Sequence, residues 1–352
     1  MKSPLHYIKL WYNIGRGGSL PQCVTPAVLA VVLSLGLENA DGQPLGDFNV
    51  LCAVLALIAV PLVHLAMNML DDYFDYNYDL LGYREKLKEE GKKSYTAKYP
   101  YLKDGTITHS QLGWGIAVML AMALTCGIVI FLYRGWTVLA IAAVVAFLGY
   151  FYSGWPLKLA FHGLGELIIG ICFGPCLMCG VFEAASGALC TSANGIYWPI
   201  VLISMAIGMI VTNILFIHSF IERHTDAFSH KTTLAVLLKG DLPCLAVFAV
   251  FAFVPFLLIA GGVAVGYMHW AYLFVFLMFP HVCWGMWSMV KFVRDEPVDT
   301  AHPAKWLGPM DHLDQLVAAG CDYFAVRWLV MRNVNAGFCL ILAIVKVVLL
   351  FV

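Results

Sequence analysis

Apolar residues in this 352-residue chain gather into nine stretches, at about 22–37, 50–70, 111–133, 136–152, 162–182, 197–219, 243–264, 268–290 and 335–352. A helix that crosses the hydrocarbon core of a bilayer needs about 20 mainly apolar residues. Within lipid a lone segment can satisfy its own backbone only as a helix. The pattern therefore predicts an all-α integral membrane protein with nine transmembrane helices. Composition agrees: 61% of residues are hydrophobic and 12% charged, about half the charged fraction of a soluble domain. The first stretch follows Lys2, Lys9 and Arg16 in the manner of a secretory signal, but with so many spans behind it we read it as the first membrane helix.

The charges sort by side. With the N-terminus in the cytoplasm, nineteen of the 21 Lys and Arg residues fall on the cytoplasmic side, leaving Arg134 in an opposite connection and Lys346 inside the last stretch. The opposite connections carry Glu38, Asp41, Asp47 and Glu183. The positive-inside rule then places the N-terminus and the loops at about 80–110, 220–240 and 291–334 in the cytoplasm. The last of these mixes Trp, Leu and His with charge and suits a helix lying at the membrane surface. None reads as a separate unit, so 1–352 is taken as one domain. A net charge of −1 gives no case for a nucleic-acid partner. The eleven cysteines mostly sit within apolar runs, as small buried hydrophobes do. Cys172, Cys176 and Cys179 have the spacing of a helix-packing face.

Two acidic motifs carry the chemistry. The second stretch ends in NMLDDYFDYNYD, residues 68–79. Asp71, Asp75 and Asp79 recur every four residues and make one stripe on a helix, with Asp72 on its border and Asn68 one turn back. Like charges at that spacing destabilise a helix, and charge near lipid costs more. A bound divalent cation offsets both, because Mg2+ takes carboxylate and phosphate oxygens together. The alternative is a solvated acidic helix end paired with the lysines of 86–103. The sixth stretch ends in Glu222 and Asp226, again four apart and on the same side, with Lys231 following. Taken alone, that pair also reads as an ordinary charged loop. Together, the two motifs form a template for clamping a diphosphate through metal ions.

These residues resemble the UbiA superfamily of intramembrane aromatic prenyltransferases. Its NDxxDxxxD motif is matched by DDYFDYNYD at 71–79, with Asp71 in place of the Asn, and its DxxxD motif by Glu222 to Asp226. YSGWPLKLAFHGLGE at 152–166, FGP at 173–175 and HKTTLAV at 230–236 agree with further family stretches, so the likeness covers most of 60–240. Asn68, Asp72, Tyr73 and Asp75, with GLGE and FGP, are most similar to the 1,4-dihydroxy-2-naphthoate prenyltransferases of menaquinone biosynthesis. The chain departs from the family's NNxRD, having His218, Ser219, Ile221 and Glu222 there.

The resemblance implies nine helices around a central cavity and Mg2+ held by Asp72, Asp75, Asp79, Glu222 and Asp226, with Tyr152 also in the catalytic set. Asn68, Asp71, Lys98, Lys103, Lys158, Arg223, Lys231 and Glu166 are the expected substrate-binding residues, Glu166 either in a direct role or paired with His162. The implied partners are a polyprenyl diphosphate, an aromatic acceptor and membrane lipid. The implied place is the inner membrane of a bacterium. An acceptor such as 4-hydroxybenzoate, homogentisate, haem or a lipid alcohol is the nearest alternative. A cation-coupled transporter would instead place acids at mid-bilayer. Asp71-Asp72-Tyr-Phe-Asp75 also fits the DDxxD of soluble polyprenyl synthases, which the nine apolar stretches argue against.

Overall fold

The computed structural model describes residues 3–38, 42–78, 82, 85–86, 89–90, 99–191, 195–228, 232–318 and 320–352. Among these, eight helices are long and apolar enough to cross a membrane. After two shorter helices, α1 (Pro4–Ile14) and α2 (Pro21–Leu33), come α3 (Val50–Asn77), α4 (His109–Arg134), α5 (Trp136–Ser153), α6 (Gly165–Ser186), α7 (Trp198–Ile221), α8 (Asp241–Ala264), α9 (Trp270–Val293) and α10 (Asp322–Leu349).

The nine expected spans thus become eight plus one short helix. α2 has 13 residues, about 20 Å of rise against a hydrocarbon core of about 30 Å. It stops at Ser34, and Gly36 then takes a left-handed φ of 54°. The last span begins earlier than its hydropathy suggested. Arg332 reaches Asp311 at 2.5 Å and Pro309 O at 3.3 Å, and Asn333 donates to Leu307 O and Pro309 O at 3.0 Å. Arg327 donates to Ser288 O at 3.0 Å. These polar side chains are absorbed by neighbouring backbone, so the helix extends back to Asp322. The surface helix expected within 291–334 reduces to Leu313–Ala318.

Local chemistry sets the other ends. Asn49 caps α3 by accepting from Cys52 N at 3.0 Å. Thr108 and Gln111 form a reciprocal capping box at the start of α4. Gly135, at φ 74°, turns α4 into α5. The stray Arg134 has a structural role, donating to Ala184 O at 2.9 Å and to Ala185 O at 2.8 Å at the end of α6. Carbonyls there have no intrahelical donor.

α7 is the central helix: 72% of its apolar window is buried, against 11% for α5. α5 and α4 turn Trp136, Leu132 and Trp114 outward, as helices facing lipid do. α6 and α7 meet through glycine. A Cβ on Gly174 would lie 2.6 Å from Gly208 Cα, so both positions must stay bare for the backbones to approach. Between Cys172 and Cys176, α6 opens into a π-helical turn, a local widening frequent at functional sites.

Candidate active site

A cavity of about 1040 Å³ lies among α3, α4, α5 and α6, with residues of α1, α2, α7 and α10 completing its lining. Most of its wall is aliphatic, running from Leu120 and Leu124 on α4 to Val138 and Ala142 on α5. Polar groups gather at the end formed by Arg16, Asn68, Asp71, Asp72, Tyr101 and Ser153.

α3 delivers the acids there because its last two turns carry them on one face. Asp72 and Asp75 are 1% and 0% exposed. Asp72 accepts from Tyr101 Oη at 2.6 Å on one oxygen and pairs with Arg16 on the other. Asp71 accepts from Ser153 Oγ at 2.6 Å and lies 3.7 Å from Arg16. Arg16 sits in a left-handed turn (φ 57°) between α1 and α2. Asn68 Nδ2 holds that turn, donating to Gly15 O at 2.9 Å and Ser19 Oγ at 3.3 Å.

Electrostatics fix the protonation of Arg16 and Tyr101. Burial opposes the charge on Arg16, but Asp72 and Asp71, then Tyr101 and Asp75, outweigh it and hold its pKa above the ordinary value. Burial first, then the Asp72 charge, raises the Tyr101 phenol, so Tyr101 is a donor at neutral pH.

The second acidic motif follows α7. Asp226, 1% exposed, lines a separate pocket of about 20 Å³ with Glu166, Tyr152, His218, Ser219 and Thr233. Tyr152, Leu215 and His218 border both this pocket and the large cavity. Tyr152 also lies in the field of Asp71, Glu166 and Asp75. Glu222 pairs with His218 at 3.4 Å. The segment after the motif is stitched to the start of α6, where Thr232 N donates to Phe161 O at 3.3 Å and Leu234 N to Glu166 Oε2 at 3.3 Å.

Not every expected residue converges. Arg223 is buried against Asp241 at 2.8 Å and Cys244, and it does not line the cavity. Lys103 pairs with Glu85. Lys158 Nζ sits 3.5 Å above the Tyr78 ring, while Tyr78 Oη donates to Ser153 O at 3.1 Å. His162 Nδ1 contacts Lys158 O at 3.0 Å, and the acid–imidazole pair considered for Glu166 is replaced by the Leu234 amide. Asp79, Lys98 and Lys231 lie outside the described residues. In turn, sequence reasoning missed Arg16, Tyr101 and Ser153. The run Gly15-Arg16-Gly17-Gly18 was the available signal for the first, an arginine in a chain stretch free to turn sharply.

The donor set suits Mg2+. Asp71, Asp72 and Asp75 are hard oxygen donors on one helix face, close to a cationic side chain that can meet an anion. Among the described residues no three acid, His or Cys groups are assembled as a metal cage. Mg2+ commonly takes one or two carboxylates and completes its shell with substrate phosphates and water, so these residues fit.

Comparison with known proteins agrees with this fold. Residues 27–308 match the UbiA prenyltransferase family. The 1,4-dihydroxy-2-naphthoate octaprenyltransferase of Bacillus subtilis is 27% identical over 290 residues, covering 82% of this chain and 83% of that one. Among solved structures, a UbiA homolog from Aeropyrum pernix superposes with a TM-score of 0.58 at 17% identity, covering 96% and 98% of the two chains. A homolog from Archaeoglobus fulgidus bound to GPP and Mg2+ gives 0.53 at 14% identity, covering 91% and 99%.

Proposed function

The chain belongs to the UbiA prenyltransferase family and is a prenyltransferase, and from that premise we propose that it moves a prenyl group from a polyprenyl diphosphate to 1,4-dihydroxy-2-naphthoate, with loss of carbon dioxide. The observation that carries this reading is the buried acid stripe of α3, met by Arg16 at the polar end of a long apolar cavity. The acceptor rests on the Bacillus relative, whose name gives that acceptor. Divalent metal use is supported by the Archaeoglobus homolog.

Asp72 and Asp75, with Asp79, Glu222 and Asp226, would hold Mg2+, which when bound supplies charge neutralisation to the diphosphate leaving group. Arg16 lies beside the same acids and can take free phosphate oxygens in bidentate fashion. Tyr101 and Ser153 hold the Asp72 and Asp71 carboxylates in fixed orientations. The aliphatic wall takes the prenyl tail and keeps water from the allylic cation. The bond from prenyl C1 to the diphosphate oxygen breaks, and the electrons leave with diphosphate. The electron-rich ring then forms a bond to C1, and its carboxyl group departs as carbon dioxide.

Orientation follows from charge: we place the N-terminus and the acid end of α3 on the cytoplasmic side of a bacterial inner membrane, since nineteen of 21 basic residues sort there. The test is purified protein with labelled polyprenyl diphosphate and a panel of aromatic acceptors, read by mass spectrometry. The expected product from dihydroxynaphthoate has gained the prenyl group and lost carbon dioxide. It disappears with EDTA and returns with Mg2+. Prenylation of a different acceptor alone would overturn the acceptor, and full activity in EDTA would overturn the metal.

A further inference from the structure

Deeper in the cavity than the acids, α3 carries a second polar position that the diphosphate chemistry does not use. His64 lines the cavity wall and is 8% exposed. Its Nε2 lies 2.7 Å from Ser19 Oγ. Ser19 has one hydroxyl proton and donates it to Arg16 O at 2.7 Å, while Asn68 donates to Ser19 Oγ at 3.3 Å. The arrangement that satisfies all three contacts has the histidine supplying the proton to Ser19, with hydrogen on Nε2 and Nδ1 a bare acceptor. Among the described residues, Nδ1 has no hydrogen-bond partner. A buried polar atom in that condition is uncommon and asks for an explanation.

The surroundings are otherwise apolar and aromatic. Phe173 meets the His64 ring edge to face, with centroids 5.2 Å apart. Phe173 belongs to the π-helical turn of α6, and that turn sets Cys172, Phe173 and Cys176 together in the cavity wall. Asp71 is seven residues further along α3, about 10 Å by helical rise.

We infer that His64, fixed by Ser19, is the acceptor-binding residue: Nδ1 accepts a hydrogen bond from a ring hydroxyl of the aromatic acceptor, and Phe173 packs against the ring. This rests on the reading of the chain as an aromatic prenyltransferase and specifies how the second substrate is held. A hydroxyl anchored at His64 sets the ring between that residue and the polar end, alongside the C1 carbon of a prenyl group whose diphosphate meets Asp71 and Asp72. The chemical class selected is a fused or single aromatic ring bearing a free hydroxyl. The same residues favour rings over aliphatic alcohols, because Phe173 offers a ring contact.

The experiment compares wild type with His64→Phe, His64→Gln and Ser19→Ala, using dihydroxynaphthoate and its two monomethyl ethers. Wild type is expected to turn over one ether at least tenfold less efficiently than the parent. His64→Phe is expected to raise the KM for the acceptor about tenfold, the loss of one hydrogen bond to a buried partner. The KM for the prenyl diphosphate stays within about twofold, and the variant no longer separates the ethers. Ser19→Ala shows the same pattern more weakly, and His64→Gln restores part of the discrimination. If His64→Phe does not fold, the Ser19→Ala and His64→Gln kinetics decide alone. Equal changes in both KM values, or ether discrimination that survives in the variants, would overturn the assignment. Wild type that releases no diphosphate from any prenyl donor would instead remove the enzymatic reading, and this inference with it.

Discussion

The two acidic motifs end helices at the same end of the bundle yet stand in opposite states. Asp71 and Asp72 on α3 open onto the large cavity and already hold a cationic group, with Arg16 on Asp72, while Asp75 is buried behind them and lines neither pocket. The acids after α7 are closed in: Asp226 faces a pocket of about 20 Å³, Glu222 is paired with His218, and the basic residue between them is turned to Asp241. The difference follows from what surrounds each. The α3 stripe is met by a glycine-flanked turn that brings a guanidinium, whereas the α7 motif is covered by a segment stitched to the start of α6. The first motif thus faces the large cavity with a cation beside it, and the second is separated from that cavity by the shared wall of Tyr152, Leu215 and His218.

Substitutions can break or sharpen this contrast. The largest effect is expected from Asp75→Ala and Asp72→Asn, which leave the leaving group's charge unmatched. Product formation should fall on the order of 10²–10³-fold or beyond detection, by analogy with loss of one transition-state electrostatic partner. Near-normal turnover by Asp75→Ala, measured by single-turnover assay, would remove that residue from the catalytic set. Next comes Arg16→Ala. A charged hydrogen bond is worth about 1.5–3 kcal/mol, so the KM for prenyl diphosphate should rise about tenfold to a hundredfold while the acceptor KM holds. An unchanged donor KM would mean that Arg16 serves Asp72 alone. Ser153→Ala frees Asp71 and is expected to cost about 1 kcal/mol, roughly fivefold in kcat/KM. Arg223→Ala should act on the fold instead of the reaction. Asp241 is half exposed, so the pair contributes at most about 1 kcal/mol, and Tm should drop slightly at unchanged kcat. A large loss of kcat in a folded Arg223→Ala protein would show that the second motif's basic residue does reach substrate.

The Tyr101 contact gives a pH signature. Its folded pKa is raised, so its contribution to the fold is intact below the ordinary phenol value of about 10 and is lost only as pH rises through the raised folded value. Stability of wild type and Tyr101→Phe should therefore differ by the same amount from pH 6 to about pH 9. A gap that closes within that range would mean the phenol ionises early.

Much of this was legible in the chain itself. The long apolar stretches located six of the eight long helices to within about four residues, because hydropathy is what lipid selects, while α3 runs on to Asn77 past its stretch. They failed where polar residues were satisfied inside the protein, as at Arg332 and Asn333, whose partners lie in a loop more than 20 residues away in sequence. The four-residue recurrence of Asp71 and Asp75 marked the acidic helix face, whose Asp71 and Asp72 bound the cavity. His64 continues that recurrence, four residues before Asn68 and eight before Asp72, but Arg16, Tyr101 and Ser153 could not be found that way. Each reaches the site through a tertiary contact between distant segments, and single polar residues near helix ends have no periodicity to announce them. The lysines expected from the resemblance were the least informative, since the two described, Lys103 and Lys158, pair with Glu85 and stack on Tyr78 at places that do not line the cavity.

The central claim is that one diphosphate is gripped by acids from both α3 and the end of α7. A structure of the protein with Mn2+ and an unreactive prenyl thiodiphosphate, using the anomalous signal of the metal, tests it directly. The account predicts metal density bridging the diphosphate to Asp72 or Asp75 on one side and to Asp226 on the other, with Arg16 moved from Asp72 to a phosphate oxygen. A diphosphate bound through the α3 acids alone, with Asp226 still shut behind Tyr152 and His218, would contradict it.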